Sequence, residues 1–216
     1  MVRRTKEEAL ATRHKLLDAA EHLFQAQGVS RTSLQDIARR AGVTRGAVYW
    51  HFKDKADLFN AMMDRVILPL EQSFQDRLGQ EGPADPLARI RSGVAEALVR
   101  IANDPQARRV FEVATHKVEY VDELQAVRLR HLQSRNDFLL QVEGGLQAAA
   151  RLHAVELAVP AATAAQGLHA IIDGLIQSWL LESATFDLVT LGRDVMEVYL
   201  RGLGFSRADN GAAFPR

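Results

Sequence analysis

Between Ser33 and Lys55 the chain reads SLQDIARRAGVTRGAVYWHFKDK, and the order of its apolar and special residues leaves little choice of local fold. Leu34, Ile37, Ala38 and Ala41 recur at i, i+3, i+4 and i+7, which places them on one buried face of a helix. Gly42 follows where a left-handed residue ends a helix without a Cβ penalty. Thr44 is then a good N-cap for a second helix, its hydroxyl placed to accept from the amide of Gly46 or Ala47. In that second helix Ala47 and Val48 face inward, as does Phe52 one turn on, leaving Arg45, Tyr49, Trp50 and His51 mostly outward. A helix facing only water has no use for Tyr and Trp, so this surface expects a partner.

Helix, Gly-containing turn and helix with a polar, aromatic outer face is the helix-turn-helix pattern, whose second helix enters the DNA major groove. An ordinary helical hairpin with a solvated face shares the spacing, so the pattern alone leaves both readings open. Charge distribution favours the first. The whole chain is formally neutral, but residues 1–60 carry eleven Lys and Arg against seven Asp and Glu, a balance of +4, and the remainder is −4. A basic head on an acidic body suits a DNA-binding module attached to something else.

The rest of the chain supplies helix starts and stripes. Thr5 and Glu8 form a capping box for helix one, whose stripe of Leu16, Leu17, Ala20, Leu23 and Phe24 runs towards Gly28. Before it, Val2-Arg3-Arg4 is either a basic arm along the DNA or a tail without a role. Thr32 with Gln35 repeats the capping device and opens the first helix of the motif, where the helix amides and the Thr32 and Ser33 hydroxyls suit a phosphate. Asp54 caps a long fourth helix with Lys55 in its first turn. A lysine is unfavourable beside the positive end of a helix; a phosphate would explain it, although an exposed lysine costs little.

That helix carries Phe59, Met62, Met63, Val66, Ile67, Leu70, Phe74 and Leu78 to about Gly79. Pro69 falls inside it and removes one ladder hydrogen bond near Arg65, giving either a hinge or a bend that suits packing. A loop spans Glu81 to Pro86, and Asp85-Pro86 and Asp104-Pro105 start helices five and six with cap and proline in the preferred order. Helix six extends to about Lys117, helix seven from about Asp122 to Arg151, helix eight from Pro160 to Glu182, and helix nine from Asp187 to about Leu203. No segment alternates with period two for long. The expected fold is all-α with about nine helices: a three-helix helix-turn-helix head over residues 1–55 and a C-terminal helical domain over 56–216, with the helix from about 54 to 79 as a shared linker.

Helices eight and nine present Leu168, Ile171, Ile172, Leu175 and Trp179, then Leu188, Leu191, Val195, Val198 and Tyr199, which suits either a core or a four-helix interface with a twin. Ala158–Leu181 is long enough to cross a bilayer and holds one formal charge, Asp173, but Thr163, Gln166, His169, Gln177 and Ser178 make spanning costly, so an interface helix is expected and no membrane. The basic start is followed by no long apolar run, so no signal peptide is expected and the chain is placed in the cytoplasm. There is no cysteine, no Glu-x-x-His, no His-Glu-x-x-His, no phosphate-binding Gly loop and no Gly-x-Ser-x-Gly. Glu112 and His116, one turn apart, are either two metal ligands or a surface pair. The expectation is no enzyme: no catalytic residue, no metal, no cofactor.

Thr44 to Lys55, TRGAVYWHFKDK, closely resembles the recognition helix and following turn of the TetR family of bacterial repressors. The opening VRRTKEEALATRHKLLDAAEHLF is similar to the start of its AcrR-like multidrug-efflux branch, and the two matches run almost without gaps from residue 2 to about 60. The resemblance implies a homodimer, joined through helices of about 160–182 and 187–203, that binds a palindromic double-stranded operator and is released by a small hydrophobic inducer; its target would be an efflux-pump operon. Arg45, Tyr49 and His51 are then expected at bases and nearby phosphates, Arg45 being able to offer a bidentate fork to guanine. Thr32, Ser33, Thr44, Trp50 and Lys55 are expected at phosphates, with Gly46 among the DNA-binding positions.

The resemblance also places an inducer pocket among helices four to eight. By position Phe111, Thr115 and Asp173 match pocket-lining sites, and Met63, Ile67 and Leu70 come from the inward face of helix four. Asp173, a carboxylate in an apolar stretch, needs a partner: a ligand donor, a cation, or a group within the protein or across the dimer. After residue 120 the likeness thins to scattered matches such as Asp173-Gly174-Leu175 and Trp179-Leu180. A regulator of a metabolic or lipid operon therefore stays open, as does a helical-bundle enzyme or carrier whose head only resembles a reader.

Overall fold

The computed structural model describes residues 6–79, 85–119, 121–183 and 185–206. The Val2-Arg3-Arg4 arm, Thr5 of the first capping box and most of the 81–86 loop lie outside them. Among the described residues there are nine α-helices and no strand: α1 Lys6–Gln27, α2 Leu34–Ala41, α3 Arg45–His51, α4 Lys55–Gly79, α5 Pro86–Asn103, α6 Pro105–His116, α7 Gln125–His153, α8 Ala161–Leu181 and α9 Leu188–Gly202. The all-α expectation holds. A 3₁₀ turn over Asp122–Leu124 precedes α7, so that helix starts three residues later than its sequence suggests.

Helix ends follow side-chain chemistry. Asp104 accepts from the Gln106 amide at 2.9 Å and Asp85 from the Leu87 amide at 2.9 Å, with proline next in each case. Asp54 caps α4 by accepting from the Asp57 amide at 2.8 Å. Gly28 and Gly42 take φ of +84° and +67°, the left-handed conformation that ends α1 and α2. One cap differs from expectation. Ser33, not Thr32, caps α2: its hydroxyl accepts from the Asp36 amide at 3.1 Å, and the Asp36 carboxylate accepts from the Ser33 amide at 3.2 Å. Thr32 is buried, and its hydroxyl donates to the Gly28 carbonyl at 2.7 Å.

The described residues group into two compact units. The first draws on Met1–Pro69 and Asp104–Gln133, the second on Leu70–Asn103 and Ser134–Arg216. The unit that holds the head is thus larger than residues 1–55. The reason is a shared core: α6 packs on α1, and its Ala107, Val110 and Val113 are buried with Leu16, Leu17, Ala20 and Phe24 of α1. Ile37 of α2, Val48 of α3 and Phe59, Met62 and Val66 of α4 complete that core, and Phe24 lies 5.9 Å from Phe59, centroid to centroid.

Two buried residues of this unit are charged, Glu21 and Lys55. Glu21 on the inner face of α1 is 1% exposed; it accepts from Gln106 Nε2 at 2.8 Å and has Arg109 at 3.7 Å and Arg65 at 3.8 Å. Burial pushes its carboxyl above the ordinary glutamate value, and the Gln106 hydrogen bond and the two guanidiniums offset this only in part. A carboxyl raised in the folded state binds protons more tightly there than in the unfolded chain. Its contribution to stability is therefore complete below the unfolded pKa and is lost as pH rises through the folded one. Urea titrations at a series of pH values are expected to show the stability of the wild-type protein, relative to Glu21→Gln, falling as pH rises from about 4 to about 7. A difference that stays constant or grows over that range contradicts the assignment.

In the second unit α9 packs on α5 and on α8. Both contacts use a glycine at the closest point: a Cβ on Gly192 would overlap Leu98 of α5, and one on Gly167 of α8 would overlap the Tyr199 hydroxyl, which donates to the Ala164 carbonyl at 2.9 Å. Arg91 of α5, largely buried, pairs with Glu197 of α9 at 2.6 Å. The two apolar helices divide their stripes. Leu168, Ile172, Trp179 and Leu188 are spent in the unit's own core, whereas Val198 is 60% exposed, and Leu181, outside the expected set, is 74% exposed. Of the ten residues expected in either a core or an interface with a twin, some are therefore spent in the core and others left at the surface. Among the described residues no helix is long and apolar enough to cross a membrane.

Candidate nucleic-acid interface

α3 is short, and its orientation rests on one inward anchor and two ends. Val48 is fully buried. Thr44 caps the start by accepting from the Ala47 amide at 3.2 Å, and Phe52, buried with Arg13 5.2 Å above its ring, ends the helix. With those points held, Arg45, Gly46, Tyr49 and Trp50 face outward; Trp50 is 71% exposed and Tyr49 49%. His51 is half-buried, edge-on to the Trp50 ring at 4.5 Å, so it is less available than the sequence implies.

Arg45 is held rather than free. Its guanidinium lies 5.5 Å from the centre of the Tyr49 ring and its Nη2 is 3.4 Å from the Tyr49 hydroxyl, one helical turn on. Stacking of this kind restricts the side chain while leaving most of its donors pointing away from the protein.

A cleft of about 440 Å³ opens between α3 and the start of α2. It brings together Thr32, Ser33, Arg45, Tyr49 and Lys55, five of the nine positions expected to bind DNA. It also includes Gln35, which the sequence places only in a helix cap, and Arg31 and Lys53, which it does not single out. Lys53 is exposed directly after the recognition helix, and Arg31 is exposed with its Nε donating to the Gln27 carbonyl at 2.7 Å. Any cation within three residues of a helix end facing the motif belongs to the site by position, which covers both. Four cations against the two carboxylates of Asp54 and Glu123, with the Ser33-capped end of α2, make a surface suited to phosphate oxygens.

Two cleft residues are engaged within the protein, and for the first the expectation is corrected. Thr32 is 1% exposed and its hydroxyl donates within the protein, so the hydroxyl is not an outward phosphate donor. Lys55 is 7% exposed; its ammonium lies 3.3 Å from the Glu123 carboxylate and donates to the Ser30 carbonyl at 3.5 Å. A carboxylate 68 residues away in the chain thus answers the question of why a lysine stands at the positive end of α4.

The expected inducer contacts are distributed over the two units. Met63 is buried, and Ile67 and Phe111 pack at the edge of the first core. The Thr115 hydroxyl donates to the Phe111 carbonyl at 2.8 Å. Leu70 is half-buried in the second unit, where Asp173 accepts from Gln177 Nε2 at 2.6 Å, a partner on its own helix. Near His169, one turn before Asp173, the Phe138 ring lies at 5.7 Å, with Phe74 5.1 Å beyond it. Glu112 accepts from Gln25 Nε2 at 2.7 Å, and among the described residues no three His, Cys, Asp or Glu gather as metal ligands.

Comparison with known proteins agrees with this geometry. The family described as bacterial regulatory proteins, tetR family, matches residues 16–62, and the C-terminal region of MAATS-type transcriptional repressors matches residues 85–205. The HTH-type transcriptional regulator AcrR of Shigella flexneri is 36% identical over 208 residues, 93% of each chain. The structure of NalD, the secondary repressor of the MexAB-OprM multidrug efflux pump in Pseudomonas aeruginosa, is 36% identical with a TM-score of 0.84, covering 90% of this chain and 98% of that one. That of SmeT, the repressor of the Stenotrophomonas maltophilia multidrug efflux pump SmeDEF, solved with triclosan, is 29% identical with a TM-score of 0.80, covering 95% and 100%. These relatives are transcriptional regulators rather than enzymes, and on these matches the chain belongs to the TetR family of bacterial transcriptional regulators.

Proposed function

We propose that this regulator is a repressor of a multidrug-efflux operon, acting in the cytoplasm as a homodimer on a palindromic operator and released by small hydrophobic or aromatic compounds. The observation that carries the reading is the exposed face of α3, Arg45, Tyr49 and Trp50, beside a cationic cleft, in a chain whose relatives include NalD and SmeT. Residues 1–55 act as the DNA-binding domain and 56–216 as the ligand-binding and dimerisation domain. Arg45 and Tyr49 read bases, with His51 in a lesser role; Gly46 leaves room for close approach, since a Cβ there would meet only the Thr44 hydroxyl at 3.9 Å. Ser33, Thr44, Trp50 and Lys53 hold phosphates.

Met63, Ile67, Phe111 and Thr115 in the first unit, and Leu70 and Asp173 in the second, are the proposed inducer contacts, each within its own unit. The exposed side of α8 and α9, marked by Leu181 and Val198, is the proposed dimer face. A two-fold dimer doubles the base contacts of one short helix. An inducer releases DNA only if it binds more tightly to the form that cannot span both half-sites, because equal affinity for both forms shifts nothing. A coupling of about 2–3 kcal/mol would lower operator affinity roughly 30- to 150-fold.

The test is a mobility shift with the chain's own upstream region, repeated with triclosan, with cationic dyes and with acyl-CoA thioesters. The expected result is a shifted band that efflux-type compounds abolish and thioesters leave in place. Release by the thioesters alone would replace the efflux assignment with a lipid-operon regulator.

A further inference from the structure

Lys55 sits in the wall of the cleft beside α3, yet its ammonium is already engaged. The Glu123 carboxylate is 3.3 Å from Nζ; the Lys55 side chain is 8% exposed and that of Glu123 is 61% exposed. The Glu123 arm is therefore free to leave, whereas the lysine stays in the wall. Two further contacts set the same segment on the loop before α2. The Val29 amide donates to the Lys117 carbonyl at 3.0 Å, and the Ser30 hydroxyl donates to Glu119 at 3.3 Å. The connection between α6 and α7 is thus laid along the phosphate-facing edge of the reading head, and it presents a carboxylate to the one buried cation of that edge. A carboxylate and a phosphate oxygen offer the same chemistry to an ammonium, so they compete for it.

Resting on the reading that this cleft faces DNA, we infer that Glu123 is an intramolecular stand-in for an operator phosphate. In the free protein it neutralises Lys55; on DNA the lysine exchanges Glu123 for a phosphate oxygen. The exchange costs affinity, because the carboxylate is displaced and remains near the incoming negative charge. Glu123 is a positioning residue that sets operator affinity through Lys55, and whatever lifts or presses the α6–α7 connection adjusts it.

The test uses the full chain and measures operator affinity by fluorescence anisotropy between about 50 and 300 mM salt for the wild type, Glu123→Gln, Lys55→Met and the double variant, with Arg45→Ala alongside. Glutamine keeps an acceptor for Lys55 and loses the charge. Glu123→Gln is expected to tighten binding roughly 3- to 30-fold, because no carboxylate has to be displaced from Lys55 or left beside the incoming phosphate. In the Lys55→Met background the gain should fall to a small remainder, the direct repulsion between Glu123 and DNA. A gain of equal size without Lys55 would make Glu123 only a negative charge near DNA and overturn the inference, as would no gain with Lys55 present. Unchanged binding by Arg45→Ala would instead remove the reading of the cleft as a DNA site. Thermal unfolding of each variant confirms that folded proteins are compared.

Discussion

Replacing Arg45 by alanine is expected to lower operator affinity by about 2–6 kcal/mol for the dimer, roughly thirtyfold to twenty-thousandfold, since a bidentate arginine–guanine pair contributes about 1–3 kcal/mol and each half-site has one. Three features argue for so large an effect. Arg45 is exposed, it stands at the first position of α3, and its guanidinium is held over the Tyr49 ring at 5.5 Å, so little freedom remains to be lost on binding. The same exposure predicts that folding is untouched, because truncation leaves no buried group without a partner. Anisotropy titrations distinguish the role of the side chain. A base contact loses sequence preference while the salt slope stays the same; a phosphate contact weakens all sequences alike and flattens the slope by about one per half-site. The first pattern is expected.

Phe24→Ala is expected to destabilise the first unit by about 3–5 kcal/mol, the range for removing a fully buried phenylalanine. Phe24 is 0% exposed and its ring meets Phe59 of α4 at 5.9 Å, within a core that also receives α2, α3 and α6. The reading head has no separate core of its own. A cavity beneath α1 therefore loosens the support of Val48, the single fully buried side chain of α3. Urea unfolding followed by circular dichroism should show a lower midpoint at unchanged slope, and operator binding should be lost at temperatures where the wild-type protein still binds. A midpoint within about 1 kcal/mol of the wild type would mean that the site collapses around the missing ring.

Local chemistry made most of the fold legible. Asp104-Pro105 and Asp85-Pro86 mark helix starts because cap and proline satisfy a helix end without help from elsewhere, and Gly28 and Gly42 mark ends because positive φ favours glycine. Arg45, Tyr49 and Trp50 were legible for the same reason, since the inward demands of Val48 and Phe52 leave them only the outside. What depended on distant partners was not. Thr32 and Ser33 are equally good caps by sequence, and the choice is made by burial of Thr32 against Gly28. Glu21 falls on the apolar face of α1, but Gln106, Arg65 and Arg109 come from two other helices. Lys55 suggested a phosphate because Glu123 lies too far along the chain to be paired with it by pattern. Division of the α8 and α9 stripes between core and surface likewise requires knowing which side of α8 meets α9 and which side of α9 meets α5 and α8.

The reading of α3 as a sequence-specific DNA reader is tested most directly by titrating the protein at about 150 mM salt against its own upstream DNA and against a shuffled duplex of the same length and composition. The expected result is binding to the upstream DNA about a thousandfold tighter or more, with the preference largely lost in Arg45→Ala. Equal affinity for both duplexes, unchanged by that substitution, would contradict it.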